Sequence, residues 1–137
     1  MVGYSSRSLV DKLGIKPGTR MTIINAPRGY MRTLGKLPPG VTVSRTGRGS
    51  FGFIQYFTRV RRELSAKLPS LCRNLEDNGT LWISWPKKAA RVVTDVTEDT
   101  VRDLALPLGL VDVKVCAIDD VWSGLKLVRR IENRRSR

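Results

Sequence analysis

Leu81-Trp82-Ile83-Ser84-Trp85-Pro86-Lys87-Lys88 is the stretch whose reading decides the fold. It follows Asp77-Asn78-Gly79, which reads as a turn, and its apolar run is too dense for a strand with one wet face. Such a run predicts a strand buried on both sides, as in a parallel sheet covered by helices. At its end, two tryptophans and a proline give way to two lysines. In an open α/β sheet, side chains at the carboxyl ends of the central strands line the ligand crevice. The same eight residues therefore predict an architecture and a place to look for function.

Working outward, strand and helix patterns alternate. Before this stretch, Ser5 to Leu13 reads as a short helix closed by Gly14, and Arg20 to Asn25 as the first strand, stopped by Ala26-Pro27. Arg28 to Leu34 predicts two helical turns ending at Gly35, Pro38-Pro39-Gly40 a rigid turn, and Val41 to Val43 a short second strand. Phe51 to Phe57 is a third strand whose near-continuous apolar run argues for a central position. From Arg59 the apolar residues Val60, Leu64, Leu68, Leu71, Cys72 and Leu75 fall at helical spacing, with Pro69 expected to kink or split the helix.

After the stretch, Thr97 suits a helix N-cap, with Glu98 and Asp99 in the favourable first turn. Val111 to Ile118 and Gly124 to Arg130 read as strands joined by the short connection Asp119 to Gly124, hence an antiparallel pair. Alternating elements imply right-handed crossovers. The predicted fold is an α/β, Rossmann-like three-layer sandwich around a mostly parallel six-stranded sheet of order 2-1-3-4-6-5, strand 6 antiparallel.

The chain of 137 residues is long enough for one domain, expected over residues 1–131, with a polar basic tail at 132–137 that frays. No apolar run approaches the roughly 18 residues of a membrane span, and no basic-then-apolar leader opens the sequence. A cytoplasmic protein with no membrane partner is expected. Cys72 and Cys116 form no CxxC pair and read as free thiols. Histidine is absent, which excludes Ser-His-Asp and Cys-His triads and histidine-containing metal sites. The formal charge is +13, and residues 1–50 carry nine Lys/Arg against Asp11 alone. That excess favours polyanionic partners, nucleic acid first, or an acidic protein.

Three passages carry a resemblance. Leu13-Gly14-Ile15-Lys16-Pro17-Gly18-Thr19-Arg20, Leu75-Glu76-Asp77-Asn78-Gly79-Thr80-Leu81, and the closing hairpin from Gly109 to Arg130 resemble the S-adenosylmethionine-dependent methyltransferase fold, in a trimmed form. Lys12 to Gly18, Asn25-Ala26-Pro27, Trp82 to Lys88, Thr94 to Asp99 and Trp122 to Val128 resemble, more closely, a small bacterial family of uncharacterised Rossmann-like proteins. The first resemblance implies S-adenosylmethionine as a cofactor, and the second implies a fold without an activity. Two departures weigh against the cofactor. The turn after the first strand, Asn25-Ala26-Pro27-Arg28-Gly29, holds a single glycine, and Ser44-Arg45 stands where a ribose-binding carboxylate belongs. Gly47-Arg48-Gly49-Ser50-Phe51-Gly52 spells GxGxxG but runs into a strand, so it reads as a flexible connection.

The crevice is expected where the strand order reverses, between strands one and three. Asn25, Arg28, Tyr30, Thr58 and Arg59 would stand on its rim, beside Ser84, Trp85, Lys87 and Lys88 after strand four and Asp119, Asp120 and Trp122 in the hairpin loop. Arginine, lysine and flat aromatic side chains together suit a phosphate and a base. The bland alternatives are core packing for Trp85 and Trp122, and a solvated loop or a salt bridge to Asp119 or Asp120 for Lys87-Lys88. Function is thus expected to be a non-catalytic module for a nucleic acid or nucleotide. The alternatives are a trimmed methyltransferase, in which Asp119, Asp120 or Lys87 moves protons, and a protein-interaction subunit.

Overall fold

A computed structural model describes residues 7–133. Its elements are α1 (Leu9–Leu13), β1 (Arg20–Ile24), α2 (Tyr30–Leu34), β2 (Thr42–Ser44), β3 (Phe51–Phe57), α3 (Arg61–Asn74), β4 (Leu75–Pro86), α4 (Glu98–Ala105), β5 (Leu110–Ala117) and β6 (Trp122–Arg129). One sheet runs in the expected order β2-β1-β3-β4-β6-β5. The first four strands pair in parallel, and β6 runs antiparallel to both β4 and β5. Ser5 and Ser6 of the expected first helix, and the tail beyond residue 133, lie outside the described residues.

Helices cover both faces, so the central strands are apolar on both sides. Leu64, Leu68 and Leu71 of α3 and Val101 and Ala105 of α4 pack with Ile54, Leu81, Ile83 and Trp85. On the opposite face Val10, Leu13, Tyr30 and Leu34 of α1 and α2 pack with Phe53, Phe57 and Trp82. Every residue from Leu81 to Pro86 is buried. Trp82 satisfies its indole N–H by donating to the Leu13 carbonyl at 3.0 Å, which ties β4 to the end of α1.

Local chemistry explains most boundaries. Ser8 caps α1 by accepting from the Asp11 N–H, and Gly14 closes it in the left-handed conformation. Thr97 and Thr100 form a reciprocal capping box at α4. Val60 offers α3 no side-chain cap, but the Asp95 carboxylate accepts from the Arg61 N–H at 2.7 Å and does that work from a distant loop.

Three expectations need correction. Asp77-Asn78-Gly79 is no separate turn: it lies within β4, where the pairing with β3 jumps from Phe51↔Leu75 to Phe53↔Thr80 and the extra residues bulge out. Gly79 fits there because a Cβ would meet Leu75 Cδ1 at 2.8 Å and the Phe51 carbonyl at 3.0 Å. Pro69 does not split α3, since the buried face formed by Leu64, Leu68, Leu71 and Cys72 spans the proline and holds both halves on the sheet. Trp122 opens β6 rather than sitting in the hairpin loop.

The crossover from β2 to β3 is unusual in having no helix. Parallel crossovers commonly take a dozen or more residues, yet only Arg45 to Ser50 separates these strands, which flank β1. The loop is held down from below. Arg20 of β1 stacks 4.5 Å over the Phe51 ring and donates to the carbonyls of Ser50 (3.0 Å) and Arg48 (3.1 Å). Asn74, the last residue of α3, donates to the Gly47 carbonyl at 3.2 Å. The GxGxxG-like string is therefore a connection, as its position before a strand implied, but one pinned by Arg20 and Asn74 rather than the flexible one expected.

Candidate functional site

The switch point lies between β1 and β3, which both neighbour in space and connect outward to opposite halves of the sheet. Two clefts open there, and both are lined by Asn25 and Glu63. One, of about 370 Å³, adds Ala26, Thr58, Arg59 and Trp122. The other, of about 390 Å³ on the α3 side, adds Ile24, Tyr56, Ala66 and Lys67. Asn25 has φ 61°, a left-handed conformation that asparagine tolerates better than most residues. The chain therefore turns sharply off β1 at the position where a methyltransferase-like turn would use glycine.

The structure brings together Asn25, Thr58, Arg59 and Trp122 of the expected rim. Thr58 is buried, and its hydroxyl serves its own loop, accepting from the Val60 N–H at 3.2 Å. Arg59 is exposed at the mouth, while its carbonyl receives the Asp95 N–H and the Thr94 hydroxyl. Trp122 meets Phe57 edge-on, with ring centroids 5.1 Å apart, and so forms part of the wall.

Other expected residues stand elsewhere. Tyr30 and Ser84 are not on the rim; both are buried beneath it. The Tyr30 hydroxyl donates to Gln55 Oε1 at 2.7 Å, and Gln55 Nε2 donates to Ser84 Oγ at 3.1 Å. Burial, more than any nearby charge, pushes the Tyr30 phenol well above the ordinary tyrosine range, so it stays a donor. Trp85 packs in the α3/α4 core. With Lys87 and Lys88 it lines a separate cleft of about 500 Å³, whose far wall is Thr94 to Asp99. The Asn25 turn and the tryptophan-proline-lysine corner thus share the carboxyl edge of the sheet without sharing a cleft. The segment Thr94 to Val96, docked on Arg59 and the start of α3, lies between them.

Asp119 spends one carboxylate oxygen on its own loop, accepting from the N–H groups of Val121 and Trp122 at 2.8 Å each. Asp120 is exposed in the same loop, and Arg28 is exposed in the turn before α2. Among the described residues no cluster of three or more Cys, Asp or Glu is placed to hold a metal.

Sequence reasoning missed Glu63, Lys67 and Tyr56. The available signal was position: a residue in the first turn of the helix after a central strand overhangs the carboxyl edge of that strand. Glu63 occupies that turn of α3. A carboxylate is therefore present at the crevice, though it comes from α3 and not from the end of β2, where Ser44 and Arg45 offer none.

No protein-family model and no curated protein matches the sequence. Solved structures do match. A SAM-dependent methyltransferase from Aquifex aeolicus superposes with TM-score 0.60 at 14% identity, covering 87% of this chain and 86% of that one. Magnesium protoporphyrin IX methyltransferase from Synechocystis, with bound SAH, gives TM-score 0.60 at 12% identity over 89% of this chain and 78% of its own. A ribosomal protein methylase from Lactobacillus delbrueckii gives TM-score 0.58 at 11% identity over 89% and 75%. The fold is methyltransferase-like and Rossmann-type. At such identities the likeness concerns the fold alone.

Proposed function

We propose that this protein is a trimmed S-adenosylmethionine-dependent methyltransferase-like enzyme whose cofactor site is the crevice between β1 and β3. The observation that supports this reading most is the meeting of Asn25 and Glu63 at the topological switch point of a methyltransferase-like sheet. The fold favours this over a purely phosphate-binding module at the same rim, because Lys87 and Lys88 stand in a different cleft.

The residues present fit an adenosyl sulfonium by a modified route. When bound, that cofactor supplies a methyl group on a positively charged sulphur. Glu63 offers two acceptor oxygens to ribose hydroxyls and a negative charge to complement the sulfonium. Trp122, half-buried in the wall, offers aromatic surface to a base. Arg59, exposed at the mouth, suits the amino-acid carboxylate by a charge-assisted bond. Asn25 presents both a donor and an acceptor beside the backbone turn. The reading assigns binding roles and no general base, since Asp119 is committed to its loop.

Calorimetric titration with S-adenosylmethionine and S-adenosylhomocysteine tests it. Saturable binding is expected, weakened about tenfold (~1.4 kcal/mol) in Glu63→Gln. Absence of binding of either ligand at millimolar concentration would refute the proposal.

A further inference from the structure

The opposite, amino edge of the sheet carries a further cleft, of about 450 Å³, which the cofactor reading does not use. Lys16, from the turn after α1, and Lys126, of β6, line it together with Gly14, Gly18 and Gly52. The glycines leave the walls low: a Cβ built on Gly14 would come 3.9 Å from Lys126 Nζ, and one on Gly18 would meet nothing within 4 Å. Lys114 of β5 stands directly across from Lys126 in the strand register, on the same sheet face. Lys12 reaches the same neighbourhood, close enough to act with Lys114 on the Cys116 thiol.

This grouping is costly for the fold. Like charges facing each other across a strand pair repel, and none of these lysines ion-pairs with a carboxylate among the described residues. Glu76, beside Gly52 on the other wall, is the acidic counterweight in the lining. Burial first, then Lys114 and Lys16, lower the pKa of the Lys126 amine, the direction expected of a cation lacking a partner. The lining offers no exposed aromatic ring on which a base could stack, since Phe53 is buried. Flexible ammonium groups without a stacking platform suit backbone phosphates rather than bases.

We propose that the glycine-walled cleft at the amino edge, with Lys16, Lys114 and Lys126, binds the phosphodiester backbone of a nucleic acid without reading its sequence. It stands independently of the cofactor reading, which concerns the other edge.

The test is fluorescence anisotropy with a labelled single-stranded RNA oligonucleotide across a salt series, using wild type, Lys114→Gln/Lys126→Gln and Lys16→Gln. Binding is expected to fall steeply with salt. The slope of log affinity against log salt should shrink by roughly 0.7 for each phosphate contact removed. The double variant should melt no lower than wild type, because a repulsion has been relieved, so weakened binding cannot be blamed on unfolding. Lys16→Gln, in an exposed turn, repeats the test where folding is not at stake. Unchanged RNA affinity in both variants would overturn the proposal, as would binding of inorganic tripolyphosphate without binding of RNA.

Discussion

The Tyr30 hydroxyl and Gln55 Oε1 meet at 2.7 Å inside the core, directly under the crevice that β1 and β3 form. The bond sets the floor of the candidate site, because Gln55 passes it on to Ser84 in β4. Tyr30→Phe leaves the Gln55 oxygen buried and unanswered, so a loss of about 1–3 kcal/mol at neutral pH is expected. Chemical denaturation measures it. The pH dependence has a definite sign. The folded phenol is held above its unfolded value, so its contribution is complete below about pH 10 and is lost as the pH rises further. The alkaline limb of the stability curve should be flatter in Tyr30→Phe than in wild type.

Arg20 fastens the short crossover between β2 and β3 through two carbonyl bonds and one ring contact. Arg20→Met keeps the stem and removes the guanidinium. Since the group is partly solvated, a loss on the order of 1–2 kcal/mol is expected. Amide exchange should accelerate in residues 45–50 first, as a local opening. Uniform acceleration across the sheet would show that this fastening has no separate role.

Pro69 lies in an unbroken helix and cannot donate to the preceding turn. Its side of α3 faces solvent. Pro69→Ala restores a donor and improves helix propensity, and is expected to raise stability by about 1 kcal/mol or more, net of the proline's effect on the unfolded chain. A melting temperature below that of wild type would mean that the helix bends to accommodate the proline.

Much of this fold could be read in advance from local chemistry. The density of apolar residues in Phe51–Phe57 and Leu81–Pro86 revealed the central strands, because only strands covered on both faces tolerate such runs. The hairpin and the α4 cap followed from equally local signals. What stayed hidden depends on distant parts of the chain. Nothing near Asp95 announces that its carboxylate caps α3, and nothing near Arg20 announces that it holds residues 48 and 50. The rim was half legible for the same reason. Strand ends could be listed, but whether a side chain such as Tyr30 points outward or plugs the floor is fixed by tertiary packing. Glu63 had a positional signal that is easily passed over, because a lone carboxylate in a helix's first turn usually complements the helix dipole.

Lys126 gives a second pH signature. Its folded pKa lies below the unfolded one, so the unfolded chain binds more protons between those values, and stability should rise with pH across that window. Lys126→Met should lack this rise and be more stable than wild type at neutral pH, where the repulsion from Lys114 and Lys16 is present in full. The difference between the two denaturation profiles from neutral to alkaline pH isolates this group from the tyrosines.

If an adenosyl ligand sits between β1 and β3, an amide-resolved NMR titration with S-adenosylhomocysteine will locate it residue by residue. Saturable shifts are expected to concentrate at Asn25, Ala26, Thr58, Arg59, Glu63 and Trp122, with Lys16 and Lys126 on the far edge undisturbed. Shifts confined to the Lys87–Asp99 cleft or to the amino edge, or a spectrum unchanged at saturating ligand, would contradict that placement.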